Sequence, residues 1–163
     1  MASFLAALAL ASTAKAADPG PALPAPPANY VAIMIGTTVA YHPHGGEWDG
    51  FQHDETSMVG YGRYLTPKLA VELDFGPTFV KGDYASFTFV PAVVYTFSSH
   101  AYLAGRFLVP VDPELNFGLF PGIGVFTTKG RYSPYLELNL SSYVGRGKPD
   151  LGVSVTAGLM IAF

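Results

Sequence analysis

From Tyr30 to the C-terminal Phe163, large apolar residues alternate with small or polar ones, and no stretch of any length keeps the 3.6-residue spacing of an amphipathic helix. The last segment is the clearest. Leu151, Val153, Val155, Ala157, Leu159, Ile161 and Phe163 share one parity, while Gly152, Ser154, Thr156, Gly158 and Ala162 share the other, with Met160 as the exception. Successive side chains of a strand point to opposite faces, so a period of two predicts a strand with one bulky face. The same pattern sets Leu69, Val71, Leu73, Phe75 and Phe79 against Ala70, Glu72, Asp74, Gly76 and Thr78. It recurs over residues 85–97, where Val90 and Val94 blur it, and over 103–111, 115–125 and 132–144. In 132–144, Leu136, Leu138 and Leu140 oppose Tyr135, Glu137, Asn139 and Ser141. Residues 30–42 and about 54–65 alternate less regularly, and Arg63 falls on the face of Val59, Tyr61 and Leu65 unless a bulge shifts it. Eight strands are predicted.

The connections are short turn signals, among them Thr66-Pro67-Lys68, Lys81-Gly82-Asp83, Ser98-Ser99-His100 and Asp112-Pro113-Glu114. Neighbouring strands are therefore antiparallel hairpins, and only His42 to His53 makes a long link. In a water-soluble sheet protein the bulky apolar face turns inward. Here that face is continuous, while the opposite one carries glycine, serine, threonine and the ions, a polarity that suits hydrocarbon outside and polar groups within. Strands cross a bilayer only as a closed ring, because no water is there to satisfy a free edge. The expected fold is all-β, an eight-stranded antiparallel up-and-down transmembrane β-barrel, whose narrow interior is filled by side chains. Residues 85–105 lack Asp, Glu, Lys and Arg, but Pro91, the break at Ser98-Ser99-His100 and the β-branched and aromatic content argue against a spanning helix there.

Composition agrees. Only 13% of residues are charged and 50% are hydrophobic, against roughly 25% charged in an average soluble domain. The net charge of −3 and the lack of any basic run exclude a nucleic-acid partner. The absence of cysteine removes disulfides, thiolate chemistry, Fe–S clusters and Cys-based zinc sites, and no cofactor is implied. At the N-terminus, the apolar stretch FLAALALA followed by Ala14-Lys15-Ala16 reads as a signal peptide over residues 1–16. Residues 17–29 form a Pro-rich periplasmic lead-in, and 30–163 the barrel.

Two segments, VSVTAGLMIAF at the C-terminus and the hairpin VGYGRYLTPKLAVELDFG, resemble the small OmpA/OmpX-like eight-stranded barrels of bacterial outer membranes. The resemblance covers residues 30–163. By that resemblance both termini face the periplasm, Thr66–Lys68, Ser98–His100 and Thr128–Gly130 are periplasmic turns, and His42–His53 is an outer loop. It further implies that Phe163 belongs to an insertion signal read by the barrel-assembly machinery; the expected partners are outer-membrane lipids, and the chain as a whole reads as a monomer with a structural or surface-interaction role. The chain departs from the family in lacking long second, third and fourth outer loops.

Three groups of residues carry candidate chemistry. Glu72, Asp74, Arg106 and Glu137 sit on inward parities near mid-height of three strands and predict a salt-bridged lumen plug. Three acids face one arginine, so Arg63, trapped water or a protonated acid is needed for balance, or the excess lines a narrow cation or proton path. The first loop gathers His42, His44, Glu47, Asp49, His53, Asp54 and Glu55. Its histidines are candidate Zn or Cu ligands at spacings matching no standard site, and Trp48 suits the headgroup interface. Catalysis has the least support. Outer-membrane lipid A deacylases use a His-x-Ser pair, absent here, and Ser98 and His100 occur in the reverse order. Palmitoyl-transferring barrels carry an amphipathic helix where this chain is Pro-rich. No enzyme is expected, with a lipid-modifying enzyme or a narrow ion-conducting barrel as the alternatives. Pro77, Pro91, Pro110, Pro121 and Pro134 fall inside the proposed strands, where each deletes a ladder donor.

Overall fold

The alternating segments form strands in the computed structural model, which describes residues 29–43, 46–112, 117–127, 130–144 and 150–163. The expected signal peptide and all of the Pro-rich lead-in except Asn29 lie outside these residues. The strands are β1 (Asn29–His42), β2 (Asp54–Tyr64), β3 (Leu69–Val80), β4 (Asp83–Thr96), β5 (Ala101–Asp112), β6 (Phe117–Leu119), β7 (Gly122–Phe126), β8 (Tyr132–Val144) and β9 (Asp150–Ala162). β6 and β7 both lie between β5 and β8 and together make one stave. Each stave pairs antiparallel with its neighbour in sequence, and β1 pairs with β9. The result is a closed, eight-stave, up-and-down barrel. Closure is completed past the strand ends, where the Phe163 N–H donates to the Asn29 carbonyl at 2.9 Å and the Asn29 N–H to the Phe163 carbonyl at 3.2 Å. A closed ring leaves no unpaired edge.

The parity read from the sequence decides the faces. Phe107 and Leu138 are 57% and 50% exposed on the outside, whereas Asp74 and Glu137 are 0% and 2% exposed within. Val90, Val94 and Met160, which blurred the pattern, point inward with the polar residues. Arg63 stays outside with Val59, Tyr61 and Leu65, because its pairings with Asn29 on β1 and Val71 on β3 contain no bulge. The uncharged stretch 85–105 is β4, a turn and the start of β5. Among the described residues no helix is long and apolar enough to cross a membrane.

The prolines sit where the ladder already gives way. Pro121 lies in the gap between β6 and β7, so the sixth predicted strand is two short ones. Pro110 adjoins a bulge, since Phe87 pairs with Asp112 and Thr88 with Pro110, leaving Val111 as the extra residue. Pro91 faces an interruption on the β5 side, where pairing passes from Phe89–Val109 to Ala92–Arg106. Pro77 faces a similar one on the β2 side, between Thr56–Thr78 and Val59–Phe75. Pro134 lies beyond the last pairing of β7 with β8, Phe126 with Tyr135. A residue without an N–H is tolerated at such places. The β3–β4 hairpin turns on Lys81 and Gly82, both at positive φ (52° and 88°), the twist that suits a two-residue connection.

Candidate functional site: the barrel lumen

Large inward side chains fit because glycine stands opposite them. A Cβ at Gly62 would run into the Tyr30 ring, at Gly124 into Tyr102, at Gly158 into Tyr135, and at Gly60 into the Asp74 carboxylate. Gly122 makes the same room for Glu137 and Asn139. These strand glycines are thus sites of close approach, and the space they release divides the lumen into two regions.

The end nearest the termini is aromatic. Tyr30, Tyr102, Phe126 and Tyr135 are buried there with Ala32, Ala70, Ala104 and Met160, and Tyr64 packs against them. Ring centroids lie 4.7 Å apart for Tyr102–Phe126, 5.3 Å for Tyr30–Tyr64 and 6.2 Å for Tyr102–Tyr135, within the range of favourable edge and tilted contacts. Tyr135 was legible as inward from its strand. Tyr30 and Tyr102 were not singled out, although the parity opposite to Leu103 marks Tyr102 as inward.

Above this layer the structure brings together all four ions named from the sequence. Arg106 on β5 reaches Glu72 and Asp74 on β3 and Glu137 on β8. Its Nη2 lies 3.4 Å from Glu72 Oε1 and its Nε 3.5 Å from Asp74 Oδ2, while Nη1 donates a short hydrogen bond to Glu137 Oε1. One guanidinium therefore ties opposite walls of the ring, using the planar fork that lets arginine serve several acceptors at once. Burial raises the stakes of every such contact, because charges removed from water must be compensated by partners. Compensation is incomplete. Both Asp74 carboxylate oxygens, Glu137 Oε2, Asn139 Oδ1 and Ser154 Oγ accept or make no hydrogen bond with a protein partner. Arg63, on the outer face, cannot supply the missing positive charge.

A cavity extends from this cluster toward the end that carries the first loop. Its walls include Thr56, Thr78, Ser141, Ser154 and Thr156, with Met34, Val90 and Leu108 on an apolar flank. They enclose a cavity of about 70 Å³, room for a handful of waters. Thr38 and Asp54 stand at the rim. The Asp54 carboxylate accepts from the Thr38 N–H and Oγ1, both at 2.6 Å, and from Thr37 Oγ1 at 3.2 Å, pinning the start of β2 to β1.

The chain matches no protein-family model and no curated protein.

The remaining candidates are dispersed. His42 packs edge-on against Trp48 at 5.2 Å, and His53 against Phe51 at 4.8 Å. His44 lies outside the described residues. No group of three His, Cys, Asp or Glu able to hold a metal occurs among the described residues, and the expected first-loop set of His42, His44 and His53 falls partly outside them. Asp54, read as part of that loop set, instead serves as the Thr37–Thr38 clamp. Part of the loop folds back on the barrel, with Tyr41 and Asp49 exchanging backbone hydrogen bonds at 2.7 and 3.0 Å. At the opposite end, Ser99 Oγ lies 2.7 Å from His100 Nδ1, and the His100 N–H donates to Ser98 Oγ at 3.2 Å. These three residues form an exposed turn, and neither they nor their neighbours line the lumen cavity. Phe163 projects outward, 59% exposed, at the seam between β1 and β9.

Proposed function

We propose that this protein is a small outer-membrane β-barrel of the OmpA/OmpX-like kind, with a structural or surface-interaction role and a lumen filled by polar and aromatic side chains. The observation that carries the reading is the polarity of the wall. Ile33, Ile35, Leu73, Phe107, Ile123, Leu136 and Leu138 are each about half exposed outside a ring that encloses Glu72, Asp74, Arg106 and Glu137. An apolar surface of that extent is costly in water and is what a bilayer accommodates. Such a barrel spans by its apolar band, takes outer-membrane lipids as its surroundings, and inserts through the barrel-assembly machinery with Phe163 in the recognised C-terminal strand. In this reading the barrel is a monomer without a catalytic role. The Ser98–His100 turn is exposed and lies away from the lumen cavity, and the aromatic layer stands across any ion path.

The test is refolding of the full chain from urea into detergent micelles, read by heat-modifiable gel migration and by urea titration. The wild type should give a compact, faster-migrating band when unboiled. Leu138→Arg, which places a cation on the middle of the outer face, should cost about 2–4 kcal/mol. Equal stability of the two proteins, or folding of the wild type in buffer without detergent, would reject the reading.

A further inference from the structure

We infer that the end of the barrel holding Asn29 and Phe163 carries a collar that binds the headgroups of anionic phospholipids, through arginine and lysine side chains set among outward aromatic rings. The inference rests on the membrane reading above and adds the lipid class that the wall selects. Its basis is a separation of charge. Around that end, residues 29–32, 61–70, 94–103, 124–127, 130–135 and 158–163 include Arg63, Lys68 and Arg131 but no Asp or Glu. Apart from the lumen acids Glu72, Asp74 and Glu137, every described Asp and Glu belongs to the opposite end, Asp49, Asp54, Asp83 and Asp150 among them. Solubility alone does not require cations and acids at separate ends. Among the described residues the ion pairs all belong to Arg106, so Arg63, Lys68 and Arg131 have no carboxylate partner there.

Their placement points to the partner. Arg63 is exposed on the outer face of β2, and Tyr61 and Leu65, two residues to either side on the same face, are 50% and 56% exposed. A guanidinium so flanked stands at the margin of the apolar band, where a long side chain keeps its stem against hydrocarbon and its head among phosphates. Arg131 stacks on the outward Tyr132, its Cζ 5.7 Å from the ring centroid, and Tyr95 and Phe97 continue the outward aromatics on β4. Lys68 lies in the turn between β2 and β3, and Arg131 directly before β8; four staves separate them in either direction around the ring, so they stand on opposite sides. A protein docked against the wall meets one side of such a collar, whereas a surrounding leaflet meets all of it. Arginine matches phosphate oxygens with its planar fork and lysine adds a point charge. A zwitterionic headgroup offers the same phosphate with its charge cancelled, so the preference is for a lipid that is anionic overall.

The experiment uses the full chain refolded into phosphatidylcholine vesicles, with folding confirmed by heat-modifiable migration. Trp48→Phe with Leu65→Trp leaves one fluorophore, in the collar. Its quenching by brominated phosphatidylglycerol is compared with quenching by brominated phosphatidylcholine at equal mole fraction. The anionic lipid should associate more strongly, by about fivefold for each cation it contacts, and added potassium chloride should shrink the difference by screening. Arg63→Gln with Lys68→Gln and Arg131→Gln should bring the ratio close to one, whereas Arg63→Lys with Arg131→Lys, which keeps every charge, should retain most of it. In the chain that keeps Trp48, at the acidic end, phosphatidylglycerol should gain no advantage. Equal quenching by the two lipids at position 65 would overturn the collar and leave the barrel reading intact. So would a preference indifferent to salt, one of the same size at Trp48, or binding of soluble polyglutamate without any lipid preference, which would mark a docking face for an acidic protein. A chain whose fluorophore neither lipid quenches would overturn the membrane reading along with the collar.

Discussion

At the scale of single residues, Arg106 is the side chain on which the interior depends. It is 6% exposed and contacts three carboxylates from two strands, β3 and β8, neither of which pairs with β5. Removing one partner of a buried ionic group is costly mainly because the others are left uncompensated, whereas replacing the whole set is often tolerated. Arg106→Met should therefore lower unfolding stability in detergent by about 3–5 kcal/mol. The set Arg106→Met with Glu72→Gln, Asp74→Asn and Glu137→Gln should recover most of the loss. Urea titration of both proteins checks this, and a single variant as stable as the wild type would mean that Arg106 only fills space. The glycine positions follow similar logic at the level of volume. Gly124→Val should destabilise the barrel through collision with Tyr102, and Tyr102→Ala in the same chain should relieve part of the penalty, a coupling that a double-mutant cycle measures.

At the scale of strands, the prolines explain which features the sequence could and could not disclose. Period-two alternation is a property of one strand, so it identified the outer rows such as Leu136, Leu138 and Leu140 and the enclosed ions Glu72 and Glu137 without knowledge of their neighbours. Pairing is a property of two strands. The interruption beside Pro91, the bulge at Val111 and the division of the sixth strand at Pro121 depend on register around the ring, which no single segment encodes. The site divides in the same way. That four ions face inward was legible, but Arg106 meeting all three acids depends on the stagger of β3, β5 and β8, and the roles of Tyr30, Tyr102 and Asp54 emerge only from what lies across the lumen. The ladder gap makes a prediction. Pro91→Ala should change stability by less than about 1 kcal/mol, because no β5 pairing is restored opposite it, whereas Val93→Pro, at a position paired with both Val71 and Gly105, should cost about 3 kcal/mol or more. Thermal unfolding in micelles distinguishes them; a large effect at Pro91 would show that the ring itself fixes the chain there.

At the scale of the whole barrel, the lumen holds two barriers in series, the aromatic layer around Tyr102 and Tyr135 and the ion layer around Arg106. An eight-stave interior is only wide enough for side chains to fill, so either layer by itself stops a hydrated ion. Wild-type protein in a planar bilayer should give a flat current trace. Tyr102→Ala with Tyr135→Ala should remain flat, because Arg106 and its partners still close the middle, and Arg106→Ala with Glu137→Ala should remain flat, because the rings still close the terminal end. Joining the four substitutions removes both obstacles and leaves Glu72 and Asp74 facing the opened space, so the combined variant should show small cation-selective steps. Heat-modifiable migration of every variant separates a closed lumen from a chain that has not inserted. Steps in the wild type, or in a variant lacking only one layer, would mean that the side chains part readily and that the lumen is a conduit whose residues were read as a plug.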